Sequence, residues 1–165
     1  MATIHLILQG KGGVGKSMIA ALIAQYQLTK GKRPLCLDTD PVNASFQAYK
    51  GLPVTRLNIL QDEEIDPRSF DQLVELISQA KGDVVIDNGA SSFVPLSAYL
   101  ITNHVPALLQ SLSHQIVVHT VITGGQAQSD TLHGFTQLVK QFPSDVSFVV
   151  WLNPYWGPIE RDGKP

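Results

Sequence analysis

The sequence from residue 4 to residue 17 reads IHLILQGKGGVGKS, and this stretch decides the fold. Its first five residues are an almost continuous apolar run, as expected for a strand that is covered on both faces. A glycine-rich stretch comes immediately after it. Residues 17–30 then carry apolar side chains at helical spacing, with Gly31 as the stop. The sequence therefore predicts a strand, a tight loop and a helix in direct succession.

Four further apolar runs of strand length occur, at residues 35–37, 84–86, 116–122 and 148–152. Segments of helical period lie between them, and we predict helices over residues 67–80, 93–102, 106–112 and 130–142. Asp66 is expected to cap the first of these, with Pro67 at the first helical position. Strands that alternate with helices indicate an α/β fold with a mostly parallel sheet and helices on both faces.

Composition excludes several classes of protein. A length of 165 residues predicts one domain, and a net charge of −2 gives no general basic excess, so any DNA binding has to be local. Cys36 is the only cysteine, which excludes an internal disulfide and predicts a reducing, cytoplasmic location. We find no apolar run of membrane-spanning length and no signal-peptide pattern at the start.

One segment is unusually poor in charge. Residues 88–129 form a run of 42 residues without Lys, Arg, Asp or Glu. Ordinary buried core explains part of it, notably residues 116–122. Phe93, Tyr99 and Leu100, however, fall on predicted helices that a single sheet cannot wholly cover. We therefore predict that residues 93–112 contribute a surface for self-association or for a partner, sensitive to the state of a bound ligand.

The glycine-rich stretch Gly10–Ser17, which we call the P-loop, matches the phosphate-binding pattern G-x-x-x-x-G-K-[ST] at every fixed position. Glycines allow successive backbone N–H groups to turn toward a polyanion, and the helix N-terminus adds its partial positive charge. Lys16 is predicted to contact the β- and γ-phosphates of a nucleotide. Ser17 is predicted to place its hydroxyl on Mg²⁺, a cation that prefers oxygen ligands.

Polar side chains come directly after three of the other predicted strands. Asp38 and Asp40 come after the second strand and Asp87 after the third, so a parallel sheet brings them to the edge that carries the P-loop. Asp87 ends an apolar strand, which suits a carboxylate that holds magnesium through water. Asn153 ends the fifth strand, where its amide can pair with adenine, although an Asn-Pro turn is the simpler alternative. No guanine-binding Asn-Lys-x-Asp pattern occurs, so ATP with Mg²⁺ is the predicted ligand.

A second lysine, Lys11, lies inside the P-loop. The run KGGVGKS at residues 11–17, together with DTDP at residues 38–41, resembles the ParA/MinD class of P-loop ATPases. Residues 84–95 and 149–160 narrow this resemblance to class members that IncP-type conjugative plasmids encode in their transfer regions. Such proteins continue beyond the length of this chain, so the resemblance implies one P-loop ATPase domain over residues 1–165 that lacks its C-terminal elements.

The resemblance also implies roles for individual residues. Lys11 would reach the phosphates of the partner in a nucleotide-dependent homodimer, Asp40 would orient the attacking water, and Asp38 would lie in the outer magnesium shell. Gly89 would donate its N–H to the γ-phosphate. The predicted catalytic residues are thus Lys11, Lys16 and Asp40, and the metal site comprises Ser17, Asp38 and Asp87. The predicted nucleotide contacts are Gly10, Lys11, Gly12, Gly13, Val14, Gly15, Lys16, Ser17, Met18, Gly89 and Asn153.

The sequence departs from that class at Asn88, where Thr or Ser is usual, and at residues 42–45, so the timing of hydrolysis stays open. The first hypothesis is an ATP-driven switch that assists conjugative DNA transfer, with relaxosome or transfer-apparatus proteins as partners. A nucleotide-binding scaffold without turnover and a partition-type ATPase are the alternatives. A small-molecule kinase is disfavoured, because no arginine is expected to adjoin the motifs; the arginines are Arg33, Arg56, Arg68 and Arg161.

Overall fold

The computed structural model describes residues 1–160, and its centre is a six-stranded parallel sheet. In chain order, strands β1 to β8 are Thr3–Ile7, Leu35–Asp38, Val54–Arg56, Leu60–Gln61, Glu64–Ile65, Val84–Asp87, Gln115–Thr123 and Ser147–Asn153. The sheet has the order β3-β2-β6-β1-β7-β8, and every neighbouring pair is parallel. Strands β4 and β5 form a separate antiparallel hairpin. The predicted α/β fold is confirmed.

Helices cover both faces of this sheet. Helices α1 to α5 are Lys16–Thr29, Ser69–Ser78, Phe93–Thr102, Val105–Ser111 and Gln128–Gln141, and short 3₁₀ turns occupy Gly125–Ala127 and Pro154–Trp156. Helix α1 packs on one face, and the other four helices pack on the opposite face. Within residues 1–160, no helix has both the length and the apolar character needed to cross a membrane.

All five predicted strands and all five predicted helices are present, but one helix begins later than predicted. Helix α2 starts at Ser69 because residues 66–71 first form a tighter turn, in which the Ser69 N–H donates to the Asp66 carbonyl. The Asp66 carboxylate accepts from the Arg68 N–H, so it orders this turn instead of capping the helix. Strands β3, β4 and β5 were not predicted, since two or three residues are too few to show a strand period.

The uncharged segment is more buried than its sequence suggests. Leu100 is only 2% exposed, so its assignment to an uncovered surface is wrong. The helix turns this side chain into the core beneath α3 and α4, while Phe93 and Tyr99 are half-buried. The exposed large apolar side chains of the segment are instead Val94, Leu108 and Leu112.

Two histidines join the strands β1, β7 and β8 beneath helix α1. Trp151 Nε1 donates to His119 Nδ1 over 3.0 Å, which requires that this nitrogen carry no proton. His119 Nε2 therefore carries the proton and donates to His5 Nδ1 over 2.9 Å. Burial, together with the smaller effect of a charge on His5, lowers the pKa of His119 to about 4. The edge strand β8 is thus held by a neutral imidazole.

We expect acid to destabilise the fold through His119. Its pKa is about 6.5 in the unfolded chain, so between pH 6.5 and 4 the unfolded chain binds a proton that the folded chain does not. Stability is therefore lost as the pH falls through this window, by about 2 kcal/mol between pH 7.5 and pH 5. Urea unfolding at both pH values should show this loss in the parent and much less of it in His119→Gln. The control is His133→Gln, which removes an exposed histidine. Equal pH dependence in the parent and His119→Gln would contradict the assignment.

Candidate nucleotide-binding site

The P-loop lies between β1 and α1, at the carboxyl edge of the sheet where β2 and β6 also end. Gly13 and Gly15 have φ values of +73° and +106°, a left-handed region that favours glycine, so the loop can curl tightly. A cavity of about 480 Å³ opens beside it. Its lining residues are Gly12, Gly13, Gly15, Lys16, Ser17, Met18, Asp40, Val42, Asn43, Ser45, Ala90 and Ser91.

Lys16 is buried within the curl of the loop. Its Nζ donates to the Lys11 carbonyl over 2.9 Å, which holds the ammonium group across the loop. Burial lowers its pKa, and the nearby carboxylates of Asp87 and Asp40 oppose that effect by favouring the charged form. The site therefore contains a cation aimed at the space where the loop would hold phosphate.

Asp87 lies beside Ser17 and Lys16, which line this cavity, and is itself 1% exposed. Burial raises its pKa to about 7, and the Ser17 hydroxyl and Lys16 oppose this increase. Its Oδ1 is buried and has no hydrogen-bond partner among residues 1–160. A buried carboxylate oxygen without a partner, beside a serine hydroxyl, fits a magnesium site that takes its remaining ligands from phosphate and water.

The described residues contain no group of three or more His, Cys, Asp or Glu side chains placed to hold a metal ion. Asp38 is fully buried, and both of its carboxylate oxygens accept backbone N–H groups, from Asp40 over 3.0 Å and from Gln47 over 2.9 Å. These bonds shape the loop after β2. The outer-shell role for Asp38 stays a prediction, and it would have to act through water.

Asp40 joins the loop after β2 to the loop after β6. Its Oδ1 accepts the N–H groups of Val42 and Asn43 over 2.9 Å and 3.1 Å, which orients the carboxylate. Gly89 approaches from the other loop so closely that a Cβ on it would lie 2.7 Å from Asp40 Cγ. These two loops, which carry Asp40 and Gly89 and which we call the switch loops, are therefore in direct contact.

Arg56 corrects one expectation from the sequence. Its guanidinium donates to the Pro41 carbonyl over 2.9 Å and lies 3.5 Å from the Asp40 carbonyl. An arginine therefore does adjoin the motifs, because the unpredicted strand β3 pairs with β2 and brings Arg56 level with Asp38. Arg161 lies outside the described residues.

Lys11 is paired within its own chain. Its Nζ lies 2.7 Å from Asp130 Oδ2, at the start of α5, and both side chains are exposed. Asp130 is the only Lys, Arg, Asp or Glu residue among residues 88–139. The pair lowers the pKa of the Asp130 carboxyl group. Because it is exposed to solvent, it is weak and easily exchanged for another partner.

Asn153 ends β8 at the edge of the sheet that carries the P-loop, and its side chain contacts that loop. Its Nδ2 donates to the Val14 carbonyl over 3.0 Å, and its Oδ1 accepts the Tyr155 N–H over 3.2 Å. Each end of the amide thus has one protein partner, which leaves one N–H and one lone pair for a contact with adenine. The adenine contact stays a prediction.

Two buried residues at the site were given no structural role from the sequence. Gln9 precedes the P-loop, and its Nε2 lies within hydrogen-bond distance of Thr120 Oγ1 and the carbonyls of Val121 and Thr131, so it connects the loop with β7 and α5. Asn88 Oδ1 accepts the Ser92 hydroxyl over 2.6 Å. Polar residues directly after apolar strands were the available signal, and it was applied only to Asp38, Asp40, Asp87 and Asn153.

This fold and this loop define the class: a P-loop nucleotide-binding protein. The comparison with protein families agrees, since the model of the CobQ/CobB/MinD/ParA nucleotide binding domain matches residues 5–140. The chain belongs to this family. The predicted ParA/MinD resemblance is therefore confirmed.

Several individual proteins are similar to this chain in sequence or in structure. Two proteins named TraL from Escherichia coli are each 68% identical over 164 residues, which is 99% of this chain and 68% of theirs. Protein MobD of Acidithiobacillus ferrooxidans is 29% identical over 144 residues, covering 86% of this chain and 60% of its own. Among solved structures, FtsY from Mycoplasma mycoides aligns with a TM-score of 0.51 and 20% identity, over 90% of this chain and 51% of its own. That likeness supports the fold alone.

Proposed function

We propose that this chain binds ATP with Mg²⁺, hydrolyses it slowly, and acts as a nucleotide-dependent switch. The observation that carries this proposal is the cavity lined by the P-loop and the buried Lys16, with the unpartnered carboxylate oxygen of Asp87 buried beside its lining residue Ser17. A cation, a row of loop N–H groups and a free carboxylate oxygen are what a magnesium-bound triphosphate requires.

The residues divide the chemistry among them. Lys16 and the P-loop N–H groups bind and neutralise the β- and γ-phosphates, and Ser17 with Asp87 would hold the magnesium ion. When bound, the ion withdraws electron density from the phosphate oxygens. Asp40 orients a water molecule through the oxygen that its own loop does not use. The water oxygen bonds to the γ-phosphorus, one water proton passes to a phosphate oxygen, the bond to the bridging oxygen breaks, and ADP and inorganic phosphate leave.

Contact between the two switch loops would couple ATP hydrolysis to the conformation of both loops. The Gly89 N–H is the proposed donor to the γ-phosphate, and Gly89 touches Asp40. Loss of the γ-phosphate would therefore release both loops together. Phe93 comes shortly after Gly89, and its ring packs on Gly10, where an added Cβ would lie 2.9 Å from Cδ1. Helix α3, with Val94 exposed, is thereby placed to respond to the nucleotide.

The proposed setting is conjugative DNA transfer. The resemblance to ParA/MinD-like proteins of transfer regions and the 68% identity to TraL support a role as an accessory ATPase. Relaxosome or transfer-apparatus proteins are the proposed partners, and DNA binding stays open. A second candidate is a nucleotide-binding scaffold without turnover. The exposed Val94, Leu108 and Leu112, in a segment almost free of charge, favour such a partner surface.

Lys11 provides the test of the switch. We expect Lys11→Ala to bind ADP within about threefold of the parent, because one exposed lysine beside the phosphates adds only general attraction. With a non-hydrolysable ATP analogue, the parent should form a dimer and Lys11→Ala should not. Light scattering after gel filtration measures the mass, and phosphate release at saturating ATP measures turnover, with and without DNA.

Asp130→Asn is the matched control, since it frees Lys11 without removing it. This variant should dimerise at least as readily as the parent. A parent that remains monomeric with the analogue would refute the dimer, and a dimer that forms equally well without Lys11 would refute the role of that lysine. Normal dimerisation without phosphate release would favour the scaffold.

A further inference from the structure

A second cavity adjoins the phosphate cavity through the P-loop. It has a volume of about 310 Å³ and shares Gly12 and Gly13 with the larger one. Trp156 forms one of its walls, and the other lining residues are Lys11, Val14, Gln126 and Ala127. The two cavities thus differ in chemistry: the first is lined by the buried Lys16 and by Asp40, whereas the second combines the indole ring with Val14 and Ala127 and has Lys11 and Gln126 as its polar side chains.

Trp156 is held in place through its backbone. The Asn153 amide ties the turn to Val14 of the P-loop and also caps the 3₁₀ turn through the Tyr155 N–H. The Trp156 carbonyl lies against Gly125, where an added Cβ would approach it to 2.3 Å. Because Gly125 has no side chain, the backbone at Trp156 can pass close to the loop after β7.

The indole ring itself remains open to a ligand. Trp156 is 59% exposed, although its backbone is anchored at both ends. The Tyr155 ring meets it edge to face, with ring centroids 4.9 Å apart and an interplanar angle of 88°. An aromatic ring that is exposed beside a phosphate loop offers a flat face on which a planar ligand can stack.

We propose that Trp156 stacks on the base of the nucleotide whose phosphates occupy the P-loop. The inference rests on the proposed function and adds its base-binding residue. A nucleotide has a polyanionic end and a planar aromatic end, which correspond to the two adjoining cavities. Stacking of a base on an aromatic side chain is worth about a tenfold change in affinity or more. Asn153 is then a positioning residue, because it holds the turn that carries Trp156.

Fluorescence tests this directly, because the chain has only two tryptophans. In a Trp151→Phe background, Trp156 is the only indole. ADP should quench its emission with saturation, whereas inorganic pyrophosphate, which has no base, should bind without quenching. Circular dichroism checks that Trp151→Phe folds, since it loses the bond to His119.

Calorimetry provides the second measurement. Trp156→Ala should weaken ADP binding about tenfold and leave pyrophosphate binding unchanged, while Trp156→Phe should retain most of the affinity for ADP. Unchanged ADP affinity in Trp156→Ala would overturn the inference. So would a quench that appears only with an ATP analogue and rises with protein concentration, because that would place Trp156 between two copies of the chain. A parent that binds neither ADP nor pyrophosphate would overturn the proposed function itself, and this inference with it.

Discussion

Replacement of Lys16 with alanine is expected to weaken ADP binding about 100-fold. The lysine is buried in the curl of the P-loop, with Nζ aimed across it at the Lys11 carbonyl. A bound phosphate would receive charge-assisted hydrogen bonds from this ammonium group, and each such bond contributes roughly 1.5 to 3 kcal/mol. The loss of two such hydrogen bonds, at about 1.5 kcal/mol each, weakens ADP binding about 100-fold.

The fold should survive this substitution, because alanine favours helix and Lys16 opens α1. Isothermal calorimetry with ADP measures the affinity, and urea unfolding checks the fold. Lys81→Ala is the matched control, since Lys81 is an exposed lysine away from the cavity, and it should bind ADP as the parent does. ADP affinity within threefold of the parent in Lys16→Ala would contradict the placement of phosphate in this loop.

Gly89→Ala is expected to disable hydrolysis and to destabilise the fold. The added Cβ would lie 2.7 Å from Asp40 Cγ and Oδ1, and 3.1 Å from the Asp40 Cα, so the side chain and backbone of Asp40 must both move. Overpacking of this kind costs about 2 kcal/mol of the free energy of unfolding. Because Asp40 is the residue assigned to the attacking water, we expect phosphate release to slow at least tenfold.

Gly82→Ala is the control for the methyl group itself. The nearest atom to its added Cβ is the Arg33 carbonyl oxygen at 3.8 Å, an ordinary contact. Urea unfolding and phosphate release should both be close to those of the parent in Gly82→Ala. If Gly89→Ala matches the parent in both urea unfolding and phosphate release, the two switch loops are not packed as described.

Local patterns account for most of what the sequence predicted correctly. An apolar run, a glycine-rich turn and a helical period give β1, the P-loop and α1, because each depends on neighbours within a few residues. The parallel sheet then brings Asp38 and Asp87 opposite each other in register. Arg56 was misjudged because β3 is only three residues long, and the two-residue strands β4 and β5 were missed for the same reason.

Burial on the helices was harder to predict than their positions. The low charge of residues 88–129 indicated a surface, but it did not reveal which side chains face the core. Leu100 lies inside and Val94 outside, although both occur on the same apolar helix α3. A helix that is apolar on all sides gives no periodicity from which to choose a buried face.

The sequence by itself thus determined the α/β fold, the P-loop and the edge of the sheet at which polar residues gather. Only the tertiary structure decided how those residues are held. Lys11 pairs with Asp130, 119 positions along the chain, and the Asn153 amide bonds to Val14 across 139 positions. The approach of Gly89 to Asp40 likewise depends on two loops from adjacent strands. Such contacts result from the order of strands in the sheet, and no local pattern records that order.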